Sequence, residues 1–381
     1  MARSQVLKRI PYATQWIEDD DLAAVVAALK SSNLTQGPIV AEFEKQVAQY
    51  CGAKYAIAVN SGTSALHIAC LAAGISVGDE VVTSPITFVA SANCVLYCGG
   101  RPVFADVDPA TINIDPSEIE KKISPKTKAI IPVHFTGNPC DLESIYNLAK
   151  KHNLTVIEDA AHALGAEYQG EKIGACQYSD MAILSFHPVK HITTGEGGMV
   201  LTNNEALREK LIFFRSHGIT RDPKYMKKQN EDWYYEMHYL GHNYRLTDIQ
   251  SALGISQLQK IDKFVARRRE IAQVYNRAFL DIEGIDFLKE SQSAKSAYHL
   301  YVILVKKRKN FYNKLRAAGL IVNVHYIPVY LQPYYQRMGY KAGDCPNAEE
   351  YYAQAITIPL YPKMAKPRIT RVIKAVKEAL N

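Results

Sequence analysis

Between residues 20 and 215, short apolar runs alternate with segments of helical period. YAIAV (55–59) leads into TSALHIACLAAG, and EVVT (80–83) leads into TFVASANCVLYCGG, whose glycines end a helix. PVFADV follows, then KAIIPVHF (128–135), the helical DLESIYNLAKKH and the strand LTVIED. MAIL and MVLT, either side of residues 185–198, read as two more buried strands. This alternation predicts an α/β fold: a mainly parallel sheet with helices on both faces.

Residues 216–242 break the rhythm with polar and aromatic side chains, and read as an excursion over the surface at a subunit contact. The next 35 or so residues, from RLTDIQSALG to VYNRAFL, carry apolar positions at three- and four-residue spacing. They predict a long helix with a break near Gly254. Strands such as YHLYVILV (298–305) among further helices predict a smaller α+β domain. The chain thus divides into an N-terminal arm (1–15), a large domain (16–250) and a small C-terminal domain (251–381).

A length of 381 residues leaves room for two domains, and 48% hydrophobic with 22% charged residues is ordinary globular composition. The net charge of +7 is spread along the chain. The clusters KKRK (306–309) and ARRRE (266–270) read as solvated faces, so neither a nucleic-acid groove nor a basic arm is expected. Seven cysteines without a CxxC pair fit a reduced, cytoplasmic protein better than a disulfide framework or a zinc site, and no metal is expected. The N-terminus lacks the apolar stretch of a signal peptide, and no run approaches a membrane span.

Three constellations carry chemistry. NSGTSAL (60–66) follows a strand and opens a helix. Its free N–H groups and hydroxyls suit a phosphate, and its Ser and Thr equally suit plain helix capping. LTVIEDAAHALG (154–165) ends a strand in two acids. Neighbouring strand residues face opposite ways, so only one of Glu158 and Asp159 can enter a given pocket. His162, about a helical turn further on, lies near the same pocket, where it could also be a core histidine.

The third is Lys190, in SFHPVKHITTGEGGMV (185–200), between two core strands. Burial disfavours a charged amine, and a nucleophilic lysine must be partly neutral. A lysine, an acid at a strand end and a phosphate seat together match pyridoxal phosphate, which needs all three. Ser185 adds a hydroxyl near the same mouth, and Phe88 is placed to cover the ring.

Those motifs, with GHNYRLTDIQSALG and VHYIPVYLQPYY, resemble the DegT-type sugar-nucleotide aminotransferases, of the aspartate aminotransferase fold (fold type I). The likeness runs nearly end to end and is strongest toward the pseudaminic acid branch. It implies that Lys190 is the Schiff-base lysine and catalytic acid/base. Asp159 would pair with the pyridinium nitrogen, and His162 would reach the ring oxygen. Phe88 would stack on the ring, while Ser61, Gly62, Thr63, Ser64 and Ser185 would hold the phosphate. Asn243 would reach the phosphate of a neighbouring subunit, making a homodimer with shared sites. Tyr12, Ser32, Asn33, Leu34, Thr35, His325, Tyr326, Ile327 and Pro328 match positions that line the sugar site. The substrates implied are L-glutamate and a UDP-linked 4-keto-6-deoxy-N-acetylhexosamine, with pyridoxamine phosphate as the alternate cofactor form. His191 departs from the family pattern, which has proline there. The dehydratase variant of the family replaces the lysine, and a nicotinamide enzyme would need GxGxxG after the first strand; neither matches. A non-catalytic regulator would carry a DNA-binding module, and the sequence has none.

Overall fold

The structure, a computed structural model, describes residues 9–227, 231–290 and 293–380. Its centre is a seven-stranded sheet of β1 (Tyr55–Val59), β2 (Glu80–Thr83), β3 (Arg101–Phe104), β4 (Thr127–Ile131), β5 (Thr155–Asp159), β6 (Met181–Ser185) and β7 (Gly198–Thr202). The spatial order is β1-β7-β6-β5-β4-β2-β3. All neighbours are parallel except β7, which runs antiparallel to β1 and β6. The expected mainly parallel sheet is present, and its one reversed strand has a local cause. No helix separates β6 from β7, so the chain returns beside β6 without the crossover that a parallel pair requires.

The period of two sorts the strand residues into two cores. Val81, Ala129, Ile131, Ile157, Ile183 and Val200 meet the helices Gly62–Ala72, Ala90–Tyr97 and Glu205–Arg215. Val82, Ile130, Val156, Ala182, Leu184 and Met199 meet the helices Pro38–Cys51, Leu142–His152 and Ile261–Phe279. Asp159 therefore shares the face of Ile157, and Glu158 that of Val156. On its own face Glu158 is bound by Ser179 and by His134, whose Nε2 lies 2.8 Å from Oε2.

The long helical segment forms two helices, Asp248–Leu258 and Ile261–Phe279, and the break lies at Gln259–Lys260 rather than near Gly254. Gly254 serves close packing: a Cβ there would fall 2.5 Å from Cζ of Phe43. At the actual break Lys260 Nζ donates to Asp20 at 2.6 Å and Asp21 at 2.8 Å, tying in the helix Asp19–Leu29. The cluster at 266–270 is solvated at Ala266 and Glu270, as expected, but not at Arg268. Arg268 is only 1% exposed, and Nη1 donates to the carbonyls of Tyr298, His299 and Leu360. Within 216–242 a two-residue ladder joins Ile219–Thr220 to Glu236–Met237, and Trp233, Tyr235, Met237 and Leu240 lie exposed.

A second antiparallel pair, β8 (Tyr301–Leu304) with β9 (Ala355–Ile358), has its own core. Tyr301, Ile303, Ile356 and Ile358 pack there with residues of the helices Ile261–Phe279, Arg308–Ala317 and Lys366–Leu380. Ile10 joins that core and pairs with Leu320, and the carbonyl of Tyr12 accepts from Leu360 N at 3.0 Å. The opposite face of β8, through Leu300 and Val302, packs with Phe104 and Phe135 beside the large sheet. Among the described residues no helix is long and apolar enough to cross a membrane.

Candidate active site

A cavity of about 480 Å³ opens beside the carboxyl ends of β1, β5 and β6, where open parallel sheets bind ligands. One corner is a helix start. Ser61 Oγ accepts from Ser64 N at 3.0 Å and so caps the helix Gly62–Ala72. Gly62 is required because a Cβ there would fall 2.9 Å from Cβ of Ser185, at the end of β6. Ser61, Gly62, Thr63 and Ser185 all line the cavity, giving first-turn N–H groups and three hydroxyls at an anion seat. Ser64 does not line it: Oγ donates to Asn60 Oδ1 at 2.6 Å and lies 2.9 Å from Ser61 Oγ. The helix cap is Ser61, and the Ser64 hydroxyl is spent on the side chains of Asn60 and Ser61.

Asp159 is 5% exposed and lines the cavity. Oδ2 accepts from Ser91 Oγ at 2.6 Å, and Ser91 in turn lies 2.7 Å from Thr87 Oγ1. Oδ1 accepts from Ala161 N at 3.1 Å. No helix follows β5, since residues 160–165 form turns, yet His162 still reaches the cavity wall. Its ring stacks toward Tyr326, with planes 25° apart, and burial followed by the charges of Lys190 and His325 hold it well below its ordinary pKa.

Lys190 projects from the loop between β6 and β7 to the same wall, and its amine has no ion pair among the described residues. Burial brings that amine down to about 8, against the carboxylate of Asp159, which favours the charged form. At pH 7 about a tenth of the amine is then neutral, far more than for a solvated lysine. Phe88 stands at the mouth, 59% exposed, its ring 6.4 Å from that of Tyr326.

The far end is built from Tyr12, His325 and Tyr326. The rings of Tyr12 and His325 lie 5.3 Å apart. Asn323 Nδ2 donates to His325 Nε2 at 3.3 Å, so Nδ1 donates to Thr357 Oγ1 at 2.8 Å, which fixes one neutral tautomer. Burial and then the charge of Lys190 lower His325 to about 4.

Besides Ser64, seven expected positions stand off this cavity. Ser32, Asn33, Leu34 and Thr35 form an exposed segment, with Thr35 bridged to Thr247. Asn243 is exposed and pairs with Ser216. Ile327 points to the exterior at 41% exposure. Pro328 is buried and likewise outside the lining. Conversely Thr87, Ser91, His187, Glu196, His299 and Asn323 line the cavity without having been singled out. Ser91 had a visible signal, a hydroxyl one turn past Phe88 in SPITFVASAN. His299 had none, since it sits in an apolar run that reads as strand.

An unpartnered amine of lowered pKa, a buried carboxylate on the sheet face and a capped helix start with hydroxyls are what pyridoxal phosphate requires, and this chain supplies all three. The DegT/DnrJ/EryC1/StrS aminotransferase family profile matches residues 15–377. The chain belongs to that family. It is a pyridoxal phosphate-dependent sugar aminotransferase with the fold of that group. The aminotransferase is 40% identical over 365 residues to the UDP-4-amino-4,6-dideoxy-N-acetyl-beta-L-altrosamine transaminase of Campylobacter jejuni, covering 93% of each chain. Its structure is similar to that of Helicobacter pylori PseC, an aminotransferase involved in the biosynthesis of pseudoaminic acid, at TM-score 0.91 and 36% identity, covering 98% of this chain and 99% of that one. It is also similar to the Streptococcus pneumoniae putative sugar aminotransferase Spr1654 in its PLP form, at TM-score 0.91 and 28% identity, covering 97% and 98%.

Proposed function

We propose that this aminotransferase moves the amino group of L-glutamate to C4 of UDP-2-acetamido-2,6-dideoxy-β-L-arabino-hex-4-ulose, a step of pseudaminic acid biosynthesis. What supports the reading is one cavity, lined by Lys190, Asp159, His162 and the helix start at Gly62, in a chain 40% identical to the UDP-4-amino-4,6-dideoxy-N-acetyl-beta-L-altrosamine transaminase of Campylobacter jejuni. The enzyme acts in the cytoplasm as a homodimer. Asn243 and Ser32–Thr35 stand off the cavity of their own chain, which supports assigning them to the site of the second copy. The described part of the arm (9–15) and the small domain (251–381) close over the large domain (16–250) and bring Tyr12, His325 and Tyr326 to the sugar nucleotide, with Ile327 and Pro328 behind them.

Pyridoxal phosphate, when bound, supplies the electron sink for the carbon that loses or gains the amine. Lys190 Nζ takes the proton from that carbon of glutamate, and in the second half-reaction gives one to C4 of the sugar. Its lowered pKa lets one amine act as base and acid near neutral pH. Asp159, held by Ser91 and Ala161 N, keeps a proton on the ring nitrogen. Ser61, Thr63, Ser185 and the first-turn N–H groups bind the phosphate. Phe88 covers the ring and excludes water from one face, and His162 meets the ring oxygen.

The test is incubation with glutamate and 4-keto UDP-sugars of both C5 configurations, with products weighed by mass spectrometry. Amination of the L-arabino sugar in preference to the D-xylo epimer is expected. Faster amination of the D-xylo sugar would move the enzyme to bacillosamine-type chemistry. Amination of a GDP-linked 4-keto sugar alone would move it to perosamine-type chemistry.

A further inference from the structure

A cluster of three imidazoles runs inward from the cavity wall, which His162 and His299 line, to His191 behind it. The ring of His162 lies 4.3 Å from that of His299, with planes 37° apart, and His299 lies 5.5 Å from His191. The three are 5%, 2% and 3% exposed, in the order His162, His299, His191. Among the described residues, each has an Nδ1 without a hydrogen-bond partner. Buried polar atoms are normally paired, so three unpaired nitrogens in one cluster call for a reason.

The middle ring is held from its backbone. His299 N donates to Thr136 O at 2.7 Å, and its carbonyl accepts from Arg268 Nη1 at 3.1 Å. Arg268 is the cation that the sequence placed on a solvated face, and its burial anchors this loop. At the other end, His191 Nε2 is fixed by the carbonyl of Ala297 at 3.2 Å. His162 has no comparable anchor: the hydroxyl of Tyr326 lies a long 3.4 Å from Nε2. The ring closest to it is that of His299, tilted by 37°, with Tyr326 more nearly coplanar but 6.2 Å away. The groups around His162 are Lys190, His191, His325, His299 and Tyr326, with Asp159 on the same cavity wall. Most of these carry or can carry positive charge, so a charged ring in the middle of the run is disfavoured; burial and neighbouring cations keep His299 well below its ordinary pKa.

We propose that His299 is a positioning residue whose flat, uncharged ring sets the plane of His162, and thereby the direction in which His162 meets the cofactor's ring oxygen. This rests on the role given to His162 above. Arg268 is the clamp that holds His299 at the required depth.

The experiment follows the visible absorption of the cofactor-loaded enzyme against pH, together with kcat and KM. His299→Leu removes the flat face. The hydrogen bond that favours an ionised ring oxygen is then misdirected, so the oxygen holds the neighbouring proton more tightly. The midpoint of the absorbance titration should rise by about one pH unit. The same variant should lower kcat about tenfold with KM for either substrate within about twofold. His299→Phe, which restores a flat uncharged ring, should recover most of both effects. His299→Asn removes the ring by a second route should the leucine variant not fold. His162→Ala should raise the midpoint too, and adding His299→Leu to it should change little more, because both act through one ring. A wild-type midpoint and kcat in His299→Leu or His299→Asn, or a defect that adds in full to that of His162→Ala, would overturn the inference and leave His299 as core. A His162→Ala variant with an unchanged midpoint would remove the role of His162, and the inference with it.

Discussion

At one end of the cavity, the proposed cofactor seat, Asp159 and Ser185 terminate core strands and Ser61 caps the helix that follows β1, whereas at the other, the proposed sugar seat, Tyr12 and Tyr326 come from opposite ends of the chain. The first set is fixed by sheet register and by two packed cores. The second depends on the bridge between Ile10 and Leu320 and on the contact between Tyr12 O and Leu360 N holding a strap against a separate small core. A cavity built in this way separates its tasks. Changes at the rigid end should abolish chemistry in both half-reactions, and changes at the strapped end should alter which sugar binds and how well.

The largest effect is expected at Lys190. Lys190→Ala should lower turnover on the order of 10⁴-fold in both half-reactions, and borohydride-treated protein should no longer gain the mass of the cofactor. Turnover retained without an added amine would end the assignment. Asp159→Asn comes next. It keeps the shape and an acceptor for Ser91 but removes the charge opposite the ring nitrogen, and about 10³-fold should be lost. Stopped-flow of the two half-reactions checks it: a loss confined to the sugar half would break the contrast, because a group at the rigid end would then be reading the substrate.

A third effect is a pH dependence. The neutral amine is the form that captures the aldehyde of the cofactor, and burial lowers Lys190 from 10.5 to about 8. The rate at which apo-protein captures pyridoxal phosphate should therefore rise with pH through a midpoint near 8 and flatten above it. At pH 7 the neutral fraction should exceed that of an ordinary lysine by roughly 300-fold. A rate that climbs without inflection to pH 10 would show that Lys190 is not in the low-dielectric setting described.

This contrast also decides what could be read from the sequence. Asp159, Lys190 and the turn at Gly62 carry local signals, because a strand end, a buried charge and a strand-to-helix turn are each written within a few residues. The partition of Glu158 from Asp159 follows from strand alternation alone. Tyr12 and Tyr326 carry no such signal: nothing near either predicts a cavity, and only the family resemblance brought them together. Where local grammar failed, tertiary packing had intervened. Gly254 looked like a helix breaker and serves the approach of Phe43. Arg268 looked solvated from its charged neighbours and is buried on carbonyl oxygens. His299 lay hidden in an apolar run because a neutral imidazole packs as a core residue does.

The smallest expected effect tests the strapped end directly. Tyr12 is partly buried, its ring beside that of His325, while its backbone carbonyl, which no side-chain change removes, makes the tie to Leu360 N. Tyr12→Ala should therefore leave the strap attached and remove only the flat face and hydroxyl offered to the sugar nucleotide. KM for the sugar should rise about tenfold, equivalent to about 1.4 kcal/mol of lost binding. The glutamate half-reaction should stay within about twofold of wild type, because glutamate has no nucleotide to place there. Tyr12→Phe separates the two contributions: recovery assigns the effect to the ring, and a loss equal to that of alanine assigns it to the hydroxyl. Stopped-flow of each half-reaction, with each variant beside wild type, provides the numbers. Equal losses in both halves would mean that Tyr12 supports the cofactor end as well, and the two ends of the cavity would then have to be treated as one mechanical unit.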